Sequence, residues 1–182
     1  IQRGWQYLSD NHYVRTEAEE YEQFRVFYSM LYADCGCQVP DQSHIDVLAR
    51  EIVYDRDRFI WFDDVAPMME RLKTRYTLGI VSDTWPSLEP TFIAQNMRDY
   101  FSTFVMSAVH GVTKAQPAIF EIALNELNIE PKQALFIDDL EPNLIVAADT
   151  GLKPIRIDRY GTSEPSRFPI ITSLEDLLPL LP

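Results

Sequence analysis

Four short runs constrain this chain more than any other feature: TLGIVS (77–82), TFVMS (103–107), ALFID (134–138) and KPIRI (153–157). Each is apolar, rich in Ile, Val and Phe, and lacks a polar alternate face. Between them the periodicity turns helical. In AIFEIALNELN (118–128), Ile119, Phe120, Ala123, Leu124 and Leu127 share one face, and NLIVAADTG (143–151) ends on Gly151. Strands that alternate with helices and carry no solvent face predict a parallel sheet covered on both sides. DVAPMMERLK (64–73) predicts a helix ahead of the first run. After the last one, residues 161–172 predict an extended surface loop, then a short helix over 173–178.

The first third has no strand signal. In EAEEYEQFRVFYSMLY (17–32), Tyr21, Phe24, Phe27, Tyr28, Leu31 and Tyr32 recur at three- and four-residue steps, which makes one helical stripe. The stripe stops at Asp34-Cys35-Gly36, where glycine can take the left-handed conformation, and Pro40 and Asp41 extend the break. A second helix follows, with Ser43 as its expected N-cap and Ile45, Leu48, Ala49, Ile52 and Val53 as its apolar face. The expected organisation is a small all-helical domain over 1–60 and an α/β domain over 61–182.

Of the 182 residues, 46% are hydrophobic and 24% charged, which suits a packed globular chain and excludes wholesale disorder. The formal net charge of -12 argues against a nucleic-acid partner, because phosphate backbones require a basic surface. Small anionic substrates remain compatible, since a metal and one or two local cations can meet their charge. Cys35 and Cys37, in the run CGC, are too close for a structural disulfide and too few for a zinc site. Reduced thiols, no membrane-length apolar run and no leader pattern make a cytoplasmic protein the expectation.

In an open parallel sheet, ligands bind beyond the carboxyl ends of the strands. There this sequence places Ser82-Asp83-Thr84 after the first run, Lys114 downstream of the second, and Asp138-Asp139 at the end of the third. Adjacent carboxylates repel and resist leaving water, so something must neutralise them. Hard oxygens suit magnesium (Mg2+), which keeps several waters and accepts substrate phosphate as a further ligand. Ser82 and neighbouring N–H groups can donate to phosphate oxygens, and Lys114 supplies a compact positive charge. Together these are the parts of a phosphoryl-transfer site, whose chemistry is mostly positioning and charge neutralisation.

The series LGIVSDT, GVTKAQPAIFEIAL and ALFIDDLEPNLIVAADTGLKPI resembles the haloacid dehalogenase-like (HAD) hydrolase superfamily over about 61–182. Ser82 matches its second motif, Lys114 its third and Asp138-Asp139 its fourth, with Asn143, Ala147 and Gly151 following. The helical section before them resembles the cap that many members insert after the first core strand. The resemblance implies a Rossmann-like core, Mg2+ and an aspartyl-phosphate intermediate. In it Ser82 bonds the phosphoryl group, Lys114 stabilises that group and the nucleophile, Asp139 holds the metal and Asp138 stands behind it. Asp83 and Thr84 join Ser82 and Lys114 as expected substrate contacts. Asp83 stands where many members have asparagine, and Ala115-Gln116 replace the common Pro-Asp. The acidic pair favours a phosphatase over a metal-free dehalogenase. The expected substrate is a small phosphorylated metabolite; the alternatives are an inactive HAD-like binding module and a phosphomutase.

The resemblance also calls for a first motif, an apolar strand ending in D-x-D, before the cap. Asp55 and Asp57 form a D-x-D, but Arg56 intervenes, no glycine follows, and Ile52 and Val53 already belong to a helix face. Asp63-Asp64 lead into a helix, and Asp10 has no strand before it. Two explanations stay open: an upstream strand, or a natural variant without the nucleophile. The sequence starts Ile1-Gln2-Arg3, and a sheet stripped of its central strand strands backbone groups at ~1–3 kcal/mol each. The expectation is therefore a nucleophile upstream of Ile1, on a first core strand between those ending at Asp138 and Ser82, and an inactive chain without it.

Overall fold

The structure is a computed structural model that describes residues 2–36, 41–161 and 165–181. In chain order its elements are α1 (Gln2–Asp10), α2 (Glu17–Asp34), α3 (Gln42–Tyr54), α4 (Val65–Leu72), β1 (Leu78–Ser82), α5 (Leu88–Ala94), β2 (Phe101–Met106), α6 (Ser107–His110), α7 (Pro117–Leu127), β3 (Leu135–Asp138), α8 (Glu141–Asp149), β4 (Lys153–Ile157) and β5 (Ile170–Ile171). A 3-10 helix, Leu174–Leu180, closes the chain. The α/β class is as the sequence predicts, with parallel pairing of β3 to β4 and of β4 to β5. The strands form two sheets, β1-β2 and β3-β4-β5. No helix among the described residues is long and apolar enough to cross a membrane.

The chain divides into two compact units. One takes residues 1–59, 83–98 and 106–111; the other takes 60–82, 99–105 and 112–182. In the first, α2 starts at a full capping box: Thr16 Oγ1 accepts from the Glu19 N–H while Glu19 Oε2 accepts from the Thr16 N–H. It ends where the sequence predicts, at Cys35 and a left-handed Gly36. Its stripe buries Phe24 and Phe27 against Leu8, Ala49 and Val53, with Tyr21, Tyr28 and Leu31 packed around them. α3 starts two residues earlier than expected. Asp41, not Ser43, stands at its N-cap, and the Ser43 hydroxyl donates to the Asp41 carboxylate instead. Cys37 and Pro40 lie outside the described residues.

One buried carboxylate in this unit has no counterpart in the apolar pattern. Glu20, 1% exposed, accepts from the N–H and the hydroxyl of Ser87, just before α5, at 2.8 and 2.7 Å. Burial drives its pKa up from 4.5 to about 7, against the pull of the Ser87 bonds and of the Arg58 guanidinium. The folded value lies above the unfolded one, so folding takes up a proton. Stability from this group is greatest below pH ~4.5 and falls as pH rises toward 7.

The second unit packs Val105, Ile119, Phe120, Ala123 and Ala147 into one cluster, with Val81 of β1 and Phe136 of β3 against it. The second run is a strand over Phe101–Met106, and Ser107 already begins α6. The expected 161–172 loop contains β5, whose two residues pair with Arg156 and Ile157 of β4; residues 162–164 of that loop lie outside the described residues. At the C-terminus, Pro179 inside the last turn lacks an N–H, and the segment is 3-10 rather than α. In β1, a Cβ on Gly79 would stand 2.5 Å from Thr103 Cγ2 of β2. Thr103 is 2% exposed and its hydroxyl donates to Glu126, so it has no free path aside.

Two outcomes are expected. Gly79→Ala should lower the unfolding free energy by about 1–3 kcal/mol in urea melts, as overpacking of β1 on β2. Glu20→Gln should flatten the stability decline between pH 4.5 and 7, which in the parent amounts to about 2–3 kcal/mol. Matching pH profiles for parent and variant would rule out this role for Glu20.

Candidate active site

The centre of the site is a buried carboxylate that accepts three hydrogen bonds. Asp138 ends β3 with its side chain 5% exposed, and Lys114 Nζ meets its Oδ2 at 2.7 Å. Its other oxygen, Oδ1, accepts from the Leu140 N–H at 2.9 Å and from Asn143 Nδ2 at 3.0 Å. The Lys114 side chain is 14% exposed, so the pair sits largely out of water, where attraction between unit charges is strong but desolvation is expensive. The two hydrogen bonds to Oδ1 offset part of that cost.

Local chemistry sets each partner. Leu140 is the N-cap residue of α8 and Pro142 lies in its first turn, so the chain turns directly from β3 into the helix, whose first turn presents Asn143 inward. Lys114 lies in the turn before α7. There Gln116 Oε1 accepts from the Thr113 N–H at 3.0 Å, and the Gln116 N–H donates to the Thr113 carbonyl at 2.9 Å. Gln116 is also the N-cap residue of α7, with Pro117 opening the helix. The glutamine that departs from the family pattern therefore shapes the turn that carries the lysine.

Asp139 differs from its neighbour. It is exposed, with its carboxylate toward solvent. Asp138 Oδ1 accepts two hydrogen bonds and Oδ2 one, whereas Asp139 is exposed at the same strand end. Among the described residues, no cluster of three or more His, Cys, Asp or Glu could enclose a metal. Mg2+ does not require such a cage, since it commonly binds one or two carboxylates and keeps its waters. An exposed carboxylate is a donor of the type such an ion takes.

Ser82 closes β1 in the same unit and is half-buried; it belongs to the β1-β2 sheet, whereas Asp138 belongs to the other. Asp83 and Thr84 fall in the first unit. Asp83 is exposed, and Thr84 is held by its backbone: its N–H donates to Ser107 Oγ at 2.8 Å, and its carbonyl accepts from the Ala108 N–H at 3.1 Å. The structure thus brings Lys114 and Asp138 into contact, sets Asp139 in solvent, and commits the Thr84 amide to Ser107. Two residues that sequence reasoning passed over hold the Thr84 segment within the first unit. Ser107 is fully buried, and His12 Nε2 lies 2.7 Å from its hydroxyl. No spacing rule reaches across the 95 residues between them. Burial pushes the His12 imidazole below its usual value, and the negative charge of Asp83 opposes that shift.

Removal of one partner from the buried pair has a definite expected cost. Asp138→Ala should destabilise the chain by about 3–5 kcal/mol, because Lys114 loses its buried carboxylate. Asn143→Ala should cost about 1 kcal/mol, as a single lost hydrogen bond. Urea unfolding at neutral pH measures both, and equal costs for the two variants would contradict the pair's dominance.

Comparison with known proteins agrees with this geometry. Over 66 residues the chain is 41% identical to acyl-CoA dehydrogenase family member 10 of Mus musculus, a match covering 36% of the chain and 6% of that protein. Over 121 residues it is 28% identical to the glyceraldehyde 3-phosphate phosphatase of Pyrococcus furiosus, covering 63% of the chain and 50% of the relative. The chain thus spans half the length or less of these two relatives. Among solved structures, the HAD-hydrolase YfnB from Bacillus subtilis superposes with a TM-score of 0.74 at 16% identity, over 99% of this chain and 78% of that one, which is a likeness of fold. Residues 4–151 match the family described as haloacid dehalogenase-like hydrolase, and with the second, third and fourth motifs at strand ends or in the turn before a helix, the chain belongs to that family.

Proposed function

We propose that this chain carries most of the active site of a magnesium-dependent phosphatase for a small phosphorylated metabolite. The observation that carries the reading is the end of β3: Asp138 is consumed by Lys114, Asn143 and the Leu140 N–H, while Asp139 remains open. A dehalogenase that works without metal has no use for the second carboxylate. The match to a glyceraldehyde 3-phosphate phosphatase supports the same choice.

Each residue then has a physical task. Ser82 Oγ donates to an oxygen of the transferring phosphoryl group. Asp83 and Thr84, next in the chain, complete the substrate contacts expected of that loop, with the Thr84 backbone already fixed by Ser107. Lys114 balances charge between phosphate and carboxylates, and Asp138 aims it. Asp139 would hold Mg2+, with Asp138 behind it; when bound, the ion withdraws negative charge from the phosphate and the leaving oxygen. The nucleophilic aspartate is expected upstream of Ile1, on a strand suited to the open edges of β1 and β3. Its attack on phosphorus forms an acyl-phosphate as the P–O bond to the metabolite breaks and that oxygen leaves as the protonated alcohol. Water then cleaves the acyl-phosphate to inorganic phosphate and the free carboxylate. The helical section 1–60 serves as the cap, and its aromatic residues mainly pack its own core.

Turnover of p-nitrophenyl phosphate by the full gene product, with and without Mg2+, tests the reading. Activity should vanish with EDTA and return with Mg2+. Asp139→Asn should raise the Mg2+ concentration for half-maximal activity by roughly 10-fold or more, and Lys114→Ala should cut kcat by about 100-fold or more. The chain 1–182 alone should be inactive. Metal-independent turnover, or none from the full gene product, would overturn the proposal, and the latter would favour an inactive binding module.

A further inference from the structure

We propose that His12 is a positioning residue for the loop directly after Ser82, acting through the Ser107 hydroxyl to hold Asp83 and Thr84 for phosphate binding. Ser107 Oγ has one proton and two lone pairs. One lone pair accepts the Thr84 N–H at 2.8 Å, and the hydroxyl also lies 3.2 Å from the Thr84 carbonyl. His12 Nε2 makes the shortest of its contacts, at 2.7 Å, accepting the Ser107 proton or donating its own according to the imidazole tautomer. In either tautomer the imidazole fixes the rotation of the hydroxyl. Ser107 is 0% exposed, so no bulk water replaces the imidazole if it leaves.

The imidazole is itself held in place. Its edge meets the Trp85 ring, with centroids 5.2 Å apart at 84°. Trp85 Nε1 donates to Gln23 Oε1 at 2.6 Å, and the Gln23 amide in turn donates to the carbonyl of Asn11, the residue before His12. Two residues after His12, the Val14 N–H donates to the Ala108 carbonyl at 3.1 Å. The contacts close a ring running from Asn11–Val14 through Gln23 and Trp85 to Thr84 and Ser107–Ala108, entirely within the first unit. At its end, both backbone groups of Thr84 are bound. Without the imidazole, the buried Ser107 hydroxyl loses its shortest hydrogen bond and keeps only its contacts to Thr84. The Thr84 peptide then loses its fixed orientation, and a misplacement near 1 Å can cost ~100-fold in rate. His12 touches none of the reacting atoms in this scheme; its effect passes through Ser107.

For its catalytic arm the proposal rests on the phosphatase reading, so the test has a second arm that needs no turnover. In the full gene product, His12→Ala should speed amide hydrogen exchange in the 83–86 segment by about 10-fold or more and leave α7 unchanged. It should lower kcat on p-nitrophenyl phosphate by about 10-fold or more, with KM within about threefold. His12→Gln, which can still donate to Ser107, should recover most of both. Ser107→Ala should reproduce the His12→Ala phenotype, and the double variant should be no worse than either single one. Unchanged exchange at 83–86 in His12→Ala overturns the proposal, as do additive losses, or faster exchange with kcat intact. Equal loosening of α7 also overturns it, since that is the mark of a merely structural residue. The exchange arm decides the clamp even where no turnover is found, in which case the phosphatase reading alone falls.

Discussion

The ion pair between Lys114 and Asp138 is the constraint on which the rest of the second unit turns. A carboxylate this deeply buried needs a cation and further donors, and these come from the starts of two helices. Lys114 arrives on the turn before α7, the Leu140 N–H on the entry to α8, and Asn143 from the first turn of α8. Satisfying one anion therefore ties the end of β3 to the starts of two helices. Apolar packing of Phe120 on Phe136 and burial of Ala147 set those helices against the strands but leave small slides open. Directional bonds to Asp138 close that freedom. The strand end gains a fixed geometry, which a phosphoryl-transfer site needs more than it needs stability.

The elements that could be read in the sequence are those whose signal is local. α2 announces itself through a stripe and a glycine stop, and the strands of the α/β unit through short apolar runs between helices. Their boundaries moved by a residue or two, as at the start of α3, where Asp41 rather than Ser43 is the N-cap residue. β5 stayed hidden because a two-residue strand has no periodicity; it exists only through its pairing with β4. The C-terminal segment reads as helix by composition, yet Pro179 within it goes with tighter 3-10 bonding. The domain pattern also has a non-local part. The first unit gathers 83–98 and 106–111 with the N-terminal helices, although nothing in those segments resembles the helical third.

The candidate site divides the same way. Ser82, Lys114 and the two aspartates were legible because each stands beyond a run with a recognisable period, and because the motif order is specific. His12, Ser107 and Glu20 were not, since their partners lie 95, 23 and 67 residues away and buried polar contacts leave no local trace. Glu20 even falls beside the apolar stripe of α2, where its side chain is one of the most deeply buried in the chain. Polar groups in such places are costly unless bonded. Each of the three bonds to a backbone or side-chain group in the segments that flank β1 and β2, which is where a sheet-end site requires rigidity.

The adjacent carboxylates stand where β3 gives way to the turn into α8. Asp138 is the last residue of the strand and Asp139 lies in the bend after it, and the two do not share one environment. Asp138 points inward to Lys114 and Asn143, and Asp139 points to solvent. The repulsion that makes a D-D pair improbable as a core feature is thereby reduced before any metal arrives. One charge is neutralised by an ammonium and the other is hydrated. A single aspartate would serve both jobs badly: one buried against the lysine offers little access to a hydrated ion, and one that faced solvent would leave the lysine unpaired. The doubling is the least the strand can supply if a fixed cation and an open hard ligand are both to stand at one end of it.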